Sequence, residues 1–121
     1  MKTMLVVDDS EFMRSLIKRH VSELDVSIIG EAEDGKVAIE KFIELSPDIV
    51  TLDLAMFELD GIDALEAMMR HNPEARVLIV SSTAGQQVVV DRAMQLGARG
   101  VVTKPIEKDV LVSHVKKLLD E

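Results

Sequence analysis

The chain has no cysteine, no tryptophan and no tyrosine, and only three phenylalanines among its 121 residues. Without cysteine there is no disulfide, no thiolate nucleophile and no Cys-ligated zinc site, which fits a reducing compartment. Positive charge is also scarce: 14 Lys+Arg stand against 22 Asp+Glu, for a formal net charge of −8 and a pI of about 4.8. Such a chain repels a phosphate backbone, so nucleic acid is not an expected partner. No apolar run approaches the roughly 20 residues of a membrane helix. The start, Met1 to Asp9, offers no signal-peptide apolar stretch, because acid arrives at Asp8. The expectation is a cytoplasmic protein, off the membrane and working as a monomer. Linkers are missing too, since the three prolines stand apart at positions 47, 73 and 105. A hydrophobic share of 47% argues against wholesale disorder. A chain of this length buries roughly two-thirds of its unfolded surface. One domain, 1–121, is expected.

What is present is a series of short apolar runs: Met4 to Val7, Val26 to Ile29, Ile49 to Leu52, Val77 to Val80 and Val101 to Thr103. They are rich in β-branched residues and too short for helices. They are continuous rather than alternating, as parallel strands are when helices cover both faces. Helical patterns lie between them. The first starts at the N-cap Ser10 and places Phe12, Leu16, Val21 and Leu24 near one face. The second follows Asp34-Gly35 with Val37, Ala38, Phe42 and Leu45, and Pro47 ends it. The third follows Asp60-Gly61 with Ile62, Leu65, Met68 and Met69. A fourth spans about 86 to 96 and stops at Gly97, and a fifth follows Pro105 with Val110, Leu111, His114, Val115, Leu118 and Leu119. Five βα units are too few for an eight-fold barrel, which leaves an α/β fold with a five-stranded, parallel, doubly wound sheet of flavodoxin-like (βα)5 type. The strand order 2-1-3-4-5 is taken from known sheets of this kind, not from these residues.

Ligands of such sheets bind at the carboxyl ends of the strands. Strand 1 delivers Asp8-Asp9 there, strand 3 Asp53, strand 4 Ser81-Ser82-Thr83 and strand 5 Lys104-Pro105. With strands 1 and 3 as neighbours, the three carboxylates lie side by side and need a raised pKa or a cation. An oxygen-only cluster suits Mg²⁺, which keeps waters for a phosphate to replace. The chemistry implied is phosphoryl transfer with one carboxylate as nucleophile, Lys104 and Mg²⁺ neutralising phosphoryl oxygens and Ser81 donating a hydrogen bond. Each residue alone has a plainer explanation. Asp9 could cap a helix, Asp53 could sit in a turn, the hydroxyls could be turn groups, and Lys104-Pro105 could be a loop. The conjunction is specific. His20, His71 and His114 fall within or at the ends of helices, away from this edge, and Met13, Met68, Met69 and Met94 read as core or interface filler.

From Leu5 to the last helix, the chain resembles the receiver domains of two-component response regulators. The resemblance rests on Val6-Val7-Asp8-Asp9-Ser10, Gly30-Glu31-Ala32 with Asp34-Gly35, Pro47 to Val50, Asp53 through Asp60-Gly61, and Lys104-Pro105. Phe12-Met13-Arg14 and Gly85-Gln86-Gln87 are similar to chemotaxis receivers. The resemblance implies that a histidine kinase of the CheA kind phosphorylates Asp53. It implies Mg²⁺ held by Asp9, Asp53 and the Ala55 carbonyl, with Asp8 acting through water, and Ser81 and Lys104 sensing the phosphoryl group. It further implies a flagellar motor switch protein, or another phospho-dependent target, on the helix 4–strand 5–helix 5 face, and a possible phosphatase.

Two positions depart from the family pattern. Phe57 stands where receivers usually carry proline, freeing φ in that loop and adding an apolar ring. Val101 stands where receivers often have an aromatic residue. A valine cannot rotate between two positions as a ring does, so a signal is expected to travel through the backbone after Ser81. Other readings are a relay or phosphate sink outside chemotaxis, and a Mg²⁺-dependent aspartyl-phosphate phosphatase. The phosphatase resemblance needs a second aspartate two residues after the nucleophile, where this chain has Ala55. The chain is therefore read as a signalling phosphoacceptor that assists its own phosphorylation and dephosphorylation, not as an enzyme. Nucleotide-binding motifs of the G-x-x-x-x-G-K-[ST] and G-x-G-x-x-G types are absent.

Overall fold

The computed structural model describes residues 1–55, 61–82 and 87–121. Strands and helices alternate: β1 (Lys2–Val7), α1 (Glu11–His20), β2 (Val26–Ala32), α2 (Gly35–Leu45), β3 (Ile49–Leu52), α3 (Gly61–His71), β4 (Arg76–Ser81), α4 (Gln87–Gln95), β5 (Gly100–Thr103) and α5 (Lys108–Leu119). The sheet is parallel with order β2-β1-β3-β4-β5, as expected. The strands at the centre are buried on both faces, which is why they read as unbroken apolar runs. The edge strand β2 is only half-buried until Ala32.

The sheet separates two apolar layers. On one side Leu5, Val7, Val50, Leu52 and Ile79 pack against Ala38 and Phe42 of α2, Leu65 and Met68 of α3, and Ala93 of α4. On the other, Met4, Val6, Ile49, Leu78 and Val80 pack against Ile17 of α1 and Leu111, Val115 and Leu118 of α5. Burying a side chain of this size contributes about 1.5–3 kcal/mol, so these layers hold the strand ends in register.

The helix boundaries follow local chemistry. Ser10 caps α1, its hydroxyl accepting from Met13 N at 3.2 Å, and Asp34 caps α2, its carboxylate accepting from Val37 N at 2.9 Å. Helix α2 ends where Ser46 turns left-handed at φ 47, just before Pro47. Gly97, at φ 113, closes the turn after α4, where its flexibility is needed.

One helix face differs from the expectation. Phe12 does not join an inward face of α1: it is 70% exposed. Ile17 takes the buried place, and at 100° per residue Phe12 lies about 140° around the helix from it. Met94 and Val110 are also largely exposed, at 44% and 42%. Among the described residues no helix is long and apolar enough to cross a membrane.

Candidate functional site

The register of the sheet brings the strand ends together. Val7 pairs with Leu52, so Asp8 and Asp53 leave adjacent strands at the same level, and Asp53 N donates to the Val7 carbonyl at 3.1 Å. On the far side Ser81 pairs with Thr103, and Lys104 N donates to the Ser81 carbonyl at 3.1 Å. Acids from the sheet centre and the cation from its edge therefore share one end of the molecule.

There the Lys104 ammonium lies 2.9 Å from Asp8 Oδ2 and 3.3 Å from Asp53 Oδ2. Asp8 and Asp53 are buried, whereas Asp9 is exposed. Asp8, Asp9 and Asp53 each offer a carboxylate oxygen within 4.8 Å of the others. The other oxygens of Asp8 and Asp53 are held by the main chain: Asp8 Oδ1 accepts from Ser10 N at 2.9 Å, and Asp53 Oδ1 accepts from Ala55 N at 3.0 Å.

Three carboxylates against one ammonium leave excess negative charge. Although Asp9 is exposed as a residue, partial loss of solvent around its carboxyl comes first, then repulsion from Asp53 and Asp8, and together they push it above its ordinary pKa. Burial acts to lower the Lys104 pKa, but the Asp8 and Asp53 carboxylates outweigh it and raise that pKa above the ordinary value. A divalent cation with oxygen preference answers such a donor set, since it adds charge where the acids are and the oxygens are already clustered. Ser81 Oγ is buried without a hydrogen-bond partner among the described residues, so a donor is in hand at the same end of the sheet.

The structure thus brings together Asp8, Asp9, Asp53 and Lys104, and places Ser81 and Ala55 at the exits of β4 and β3. The loop features predicted at Met56-Phe57, Asp60, Thr83 and Gly85-Gln86 lie outside the described residues. Val101 of β5 pairs with Ile79 of β4 and is partly buried against the α2–α3–α4 layer. His20 and His71 end α1 and α3, and His114 lies within α5; the His71 ring stands edge-on to Phe42 at 6.1 Å.

Two contributors were missed in the sequence. Gly61 N donates to the Leu54 carbonyl at 3.0 Å, and a Cβ at Gly61 would lie 2.4 Å from the Asp53 carbonyl oxygen. The Asp60-Gly61 pair reads as a turn, but the glycine serves close approach of α3 to the end of β3. Arg14 donates to the Asp8 carbonyl at 2.7 Å and to Glu31 at 3.0 Å. The signal was an acid near the end of an otherwise apolar β2 and a base one turn into α1, whose meeting depends on β1 and β2 being neighbours.

A parallel five-stranded sheet in this order, with an acid trio and a lysine at its carboxyl edge, defines a receiver. Accordingly, the family profile for the response regulator receiver domain matches residues 4–116, and this chain belongs to that family. Within the family it is similar to the chemotaxis protein CheY of Listeria monocytogenes, 41% identical over 117 residues, or 97% of this chain and 98% of that protein. The CheY of Thermotoga maritima is 40% identical and covers 97% of each chain. Among solved structures, a chain of the CheX–CheY–BeF₃–Mg²⁺ complex from Borrelia burgdorferi matches with a TM-score of 0.92 at 30% identity, covering 98% of this chain and 89% of that one. The response regulator domain of T. maritima CheB matches with a TM-score of 0.87 at 37% identity, covering 99% of this chain and 95% of that one. The chain is thus a CheY-like receiver of two-component signalling.

Proposed function

We propose that this protein is the phosphoacceptor of a chemotaxis-type two-component system, phosphorylated on Asp53. The convergence of Asp8, Asp9 and Asp53, with Lys104 bridging two of them, carries this reading. The donor is a phosphohistidine on a CheA-like histidine kinase. A carboxylate oxygen of Asp53 attacks its phosphorus; the P–O bond forms as the P–N bond breaks, and the leaving imidazole keeps the electron pair and takes a proton.

Asp9, Asp53 and the Ala55 carbonyl would hold Mg²⁺, with Asp8 acting through water, and the bound ion supplies charge neutralisation at the phosphoryl oxygens. Lys104 contributes a second positive charge from the opposite strand. Ser81 donates its spare hydroxyl to a phosphoryl oxygen, a charge-assisted bond roughly twice as strong as a neutral one. The movement of Ser81 then alters the α4–β5–α5 face, which a flagellar motor switch protein or another phospho-dependent partner reads, and a separate phosphatase resets the protein. Similarity to several CheY proteins supports the chemotaxis assignment. The chain acts in the cytoplasm as a signalling protein that assists its own phosphorylation and dephosphorylation, without turnover of external phosphate esters.

The test is incubation with acetyl phosphate and Mg²⁺, followed by intact mass measurement of wild type and Asp53→Asn. One labile phosphoryl group on wild type and none on the variant is expected. Equal phosphorylation of both would overturn the assignment. Phosphotransfer profiling against purified kinases and pull-down with the phosphorylated form then separate a motor-switch regulator from a relay or a phosphate sink.

A further inference from the structure

We propose that Arg14 is a positioning residue of the acidic site, holding the Asp8–Asp9 peptide and through it the placement of Asp9. The inference rests on the reading above in which Asp9 helps hold a divalent cation. The Asp8 carbonyl belongs to the peptide that leads into Asp9. That peptide is planar, so a bond to its oxygen limits rotation on both sides, including the direction in which Asp9 departs.

Arg14 Nη1 supplies this bond at 2.7 Å from a side chain only 14% exposed. The other polar groups of Asp8 are already committed. Its N–H donates to Ala32 O at 3.0 Å, its Oδ1 accepts from Ser10 N at 2.9 Å, and its Oδ2 faces Lys104 at 2.9 Å. The carbonyl is the remaining point of control, and Asp9, the exposed member of the trio, depends on it.

Arg14 is itself anchored. Its Nε donates to Glu31 Oε1 at 3.0 Å, while Lys18 Nζ donates to Glu31 Oε2 at 2.7 Å and Lys41 Nζ to the Glu31 carbonyl at 2.5 Å. Glu31 pairs with Val6 in the sheet, so the anchor is part of the β1–β2 ladder. The two Arg14 bonds leave in different directions from one planar fork. A lysine ammonium has the charge without that fixed geometry.

Charge and position predict opposite signs. Removing a positive charge near an acidic site should strengthen binding of a dication, as like charges repel. Removing a positioning residue should weaken it, as loss of outer partners at metal sites costs about 10–100-fold in affinity. The experiment compares wild type, Arg14→Gln and Arg14→Lys by amide NMR, first metal-free and then in a Mg²⁺ titration. Urea unfolding is run alongside to separate stability from site geometry. We expect the Asp9 amide of both variants to shift and broaden before any metal is added, and the Mg²⁺ Kd of Arg14→Gln to rise about tenfold. Arg14→Lys keeps the charge and is expected to weaken binding less, and it serves if the glutamine variant does not fold. An unchanged Asp9 amide with Mg²⁺ binding equal to or tighter than wild type would overturn the inference. Wild type that binds no Mg²⁺ would instead overturn the functional reading, and the metal-free Asp9 amide would still decide the role of Arg14.

Discussion

Replacing Gly61 by alanine sets two physical effects against each other. Gly61 opens α3, where alanine is the better helix former by at most about 0.8–1 kcal/mol, the value for a helix interior. Helix propensity alone therefore predicts a more stable protein. The added Cβ, however, would lie 2.3 Å from Leu54 Cα, 2.4 Å from the Asp53 carbonyl oxygen and 2.9 Å from the Leu54 carbonyl carbon. Ordinary carbon–carbon contact begins near 3.5 Å, so one segment must retreat by about 1 Å. The obstacles are backbone atoms, and Leu54 is buried at 4% exposure, so no flexible tip can swing aside. Overpacking of this kind costs about 1–3 kcal/mol, and an unyielding backbone puts Gly61 at the upper end. After the gain in propensity, a net loss of about 2 kcal/mol is expected. For a slope of roughly 2 kcal/mol per molar urea, that lowers the midpoint by about 1 M. The displaced peptide carries Asp53, the proposed acceptor, so phosphorylation by acetyl phosphate should slow as well. Gly30→Ala is the comparison: its Cβ would meet side-chain tips, Leu45 Cδ1 at 2.9 Å and Leu5 Cδ1 at 3.2 Å, and its loss should be smaller. A Gly61→Ala protein as stable as wild type, or more so, would refute the steric argument.

Asp9→Ala should raise the metal-free melting temperature by relieving repulsion from Asp53 and Asp8, and should abolish the increase that Mg²⁺ brings to wild type; calorimetry reads both, and a full Mg²⁺ effect in the variant would contradict the proposed ligand set. Lys104→Met should cost about 3–5 kcal/mol in Mg²⁺-free buffer, because it leaves Asp8 and Asp53 buried without their shared counter-charge, and adding Asp53→Asn should recover part of that loss in urea unfolding. Asp48 gives a pH dependence. Its carboxylate accepts from Thr3 N at 2.8 Å and Thr3 Oγ1 at 3.1 Å, and these bonds, the backbone one first, hold its pKa below the usual value. A lowered folded pKa means that the stabilisation is present above the unfolded value, near 3.9, and is lost as pH falls through the lower folded value. Asp48→Asn should therefore flatten the fall in stability below about pH 4, measured as urea midpoints across that range, and an identical profile would remove Asp48 from the account.

The elements were legible because a parallel sheet covered on both faces demands unbroken apolar strands, and Ile49 to Leu52 and Val77 to Val80 can serve no other geometry so well. The acids were legible for a related reason: a charge directly after such a run marks the point where the strand leaves the core. Asp8, Asp53 and Lys104 all stand at such points. Phe12 was not legible, because apolar type alone does not say which side of α1 turns inward. The phase of the helix is set by Ile17 meeting the α5 side of the sheet.

The order of residues by itself determined where each strand ends and which chemical groups stand at those ends, since strand length and the step from apolar to charged are local properties. The tertiary structure alone decided how those ends meet. Lys104 faces Asp8 across intervening strands, Gly61 presses on the Asp53–Leu54 peptide, and Arg14 reaches back to the Asp8 carbonyl while Glu31 holds it from the neighbouring strand. These contacts depend on strand order, register and the packing of helices on the sheet. They join residues far apart along the chain, where periodicity and spacing carry no information about distance.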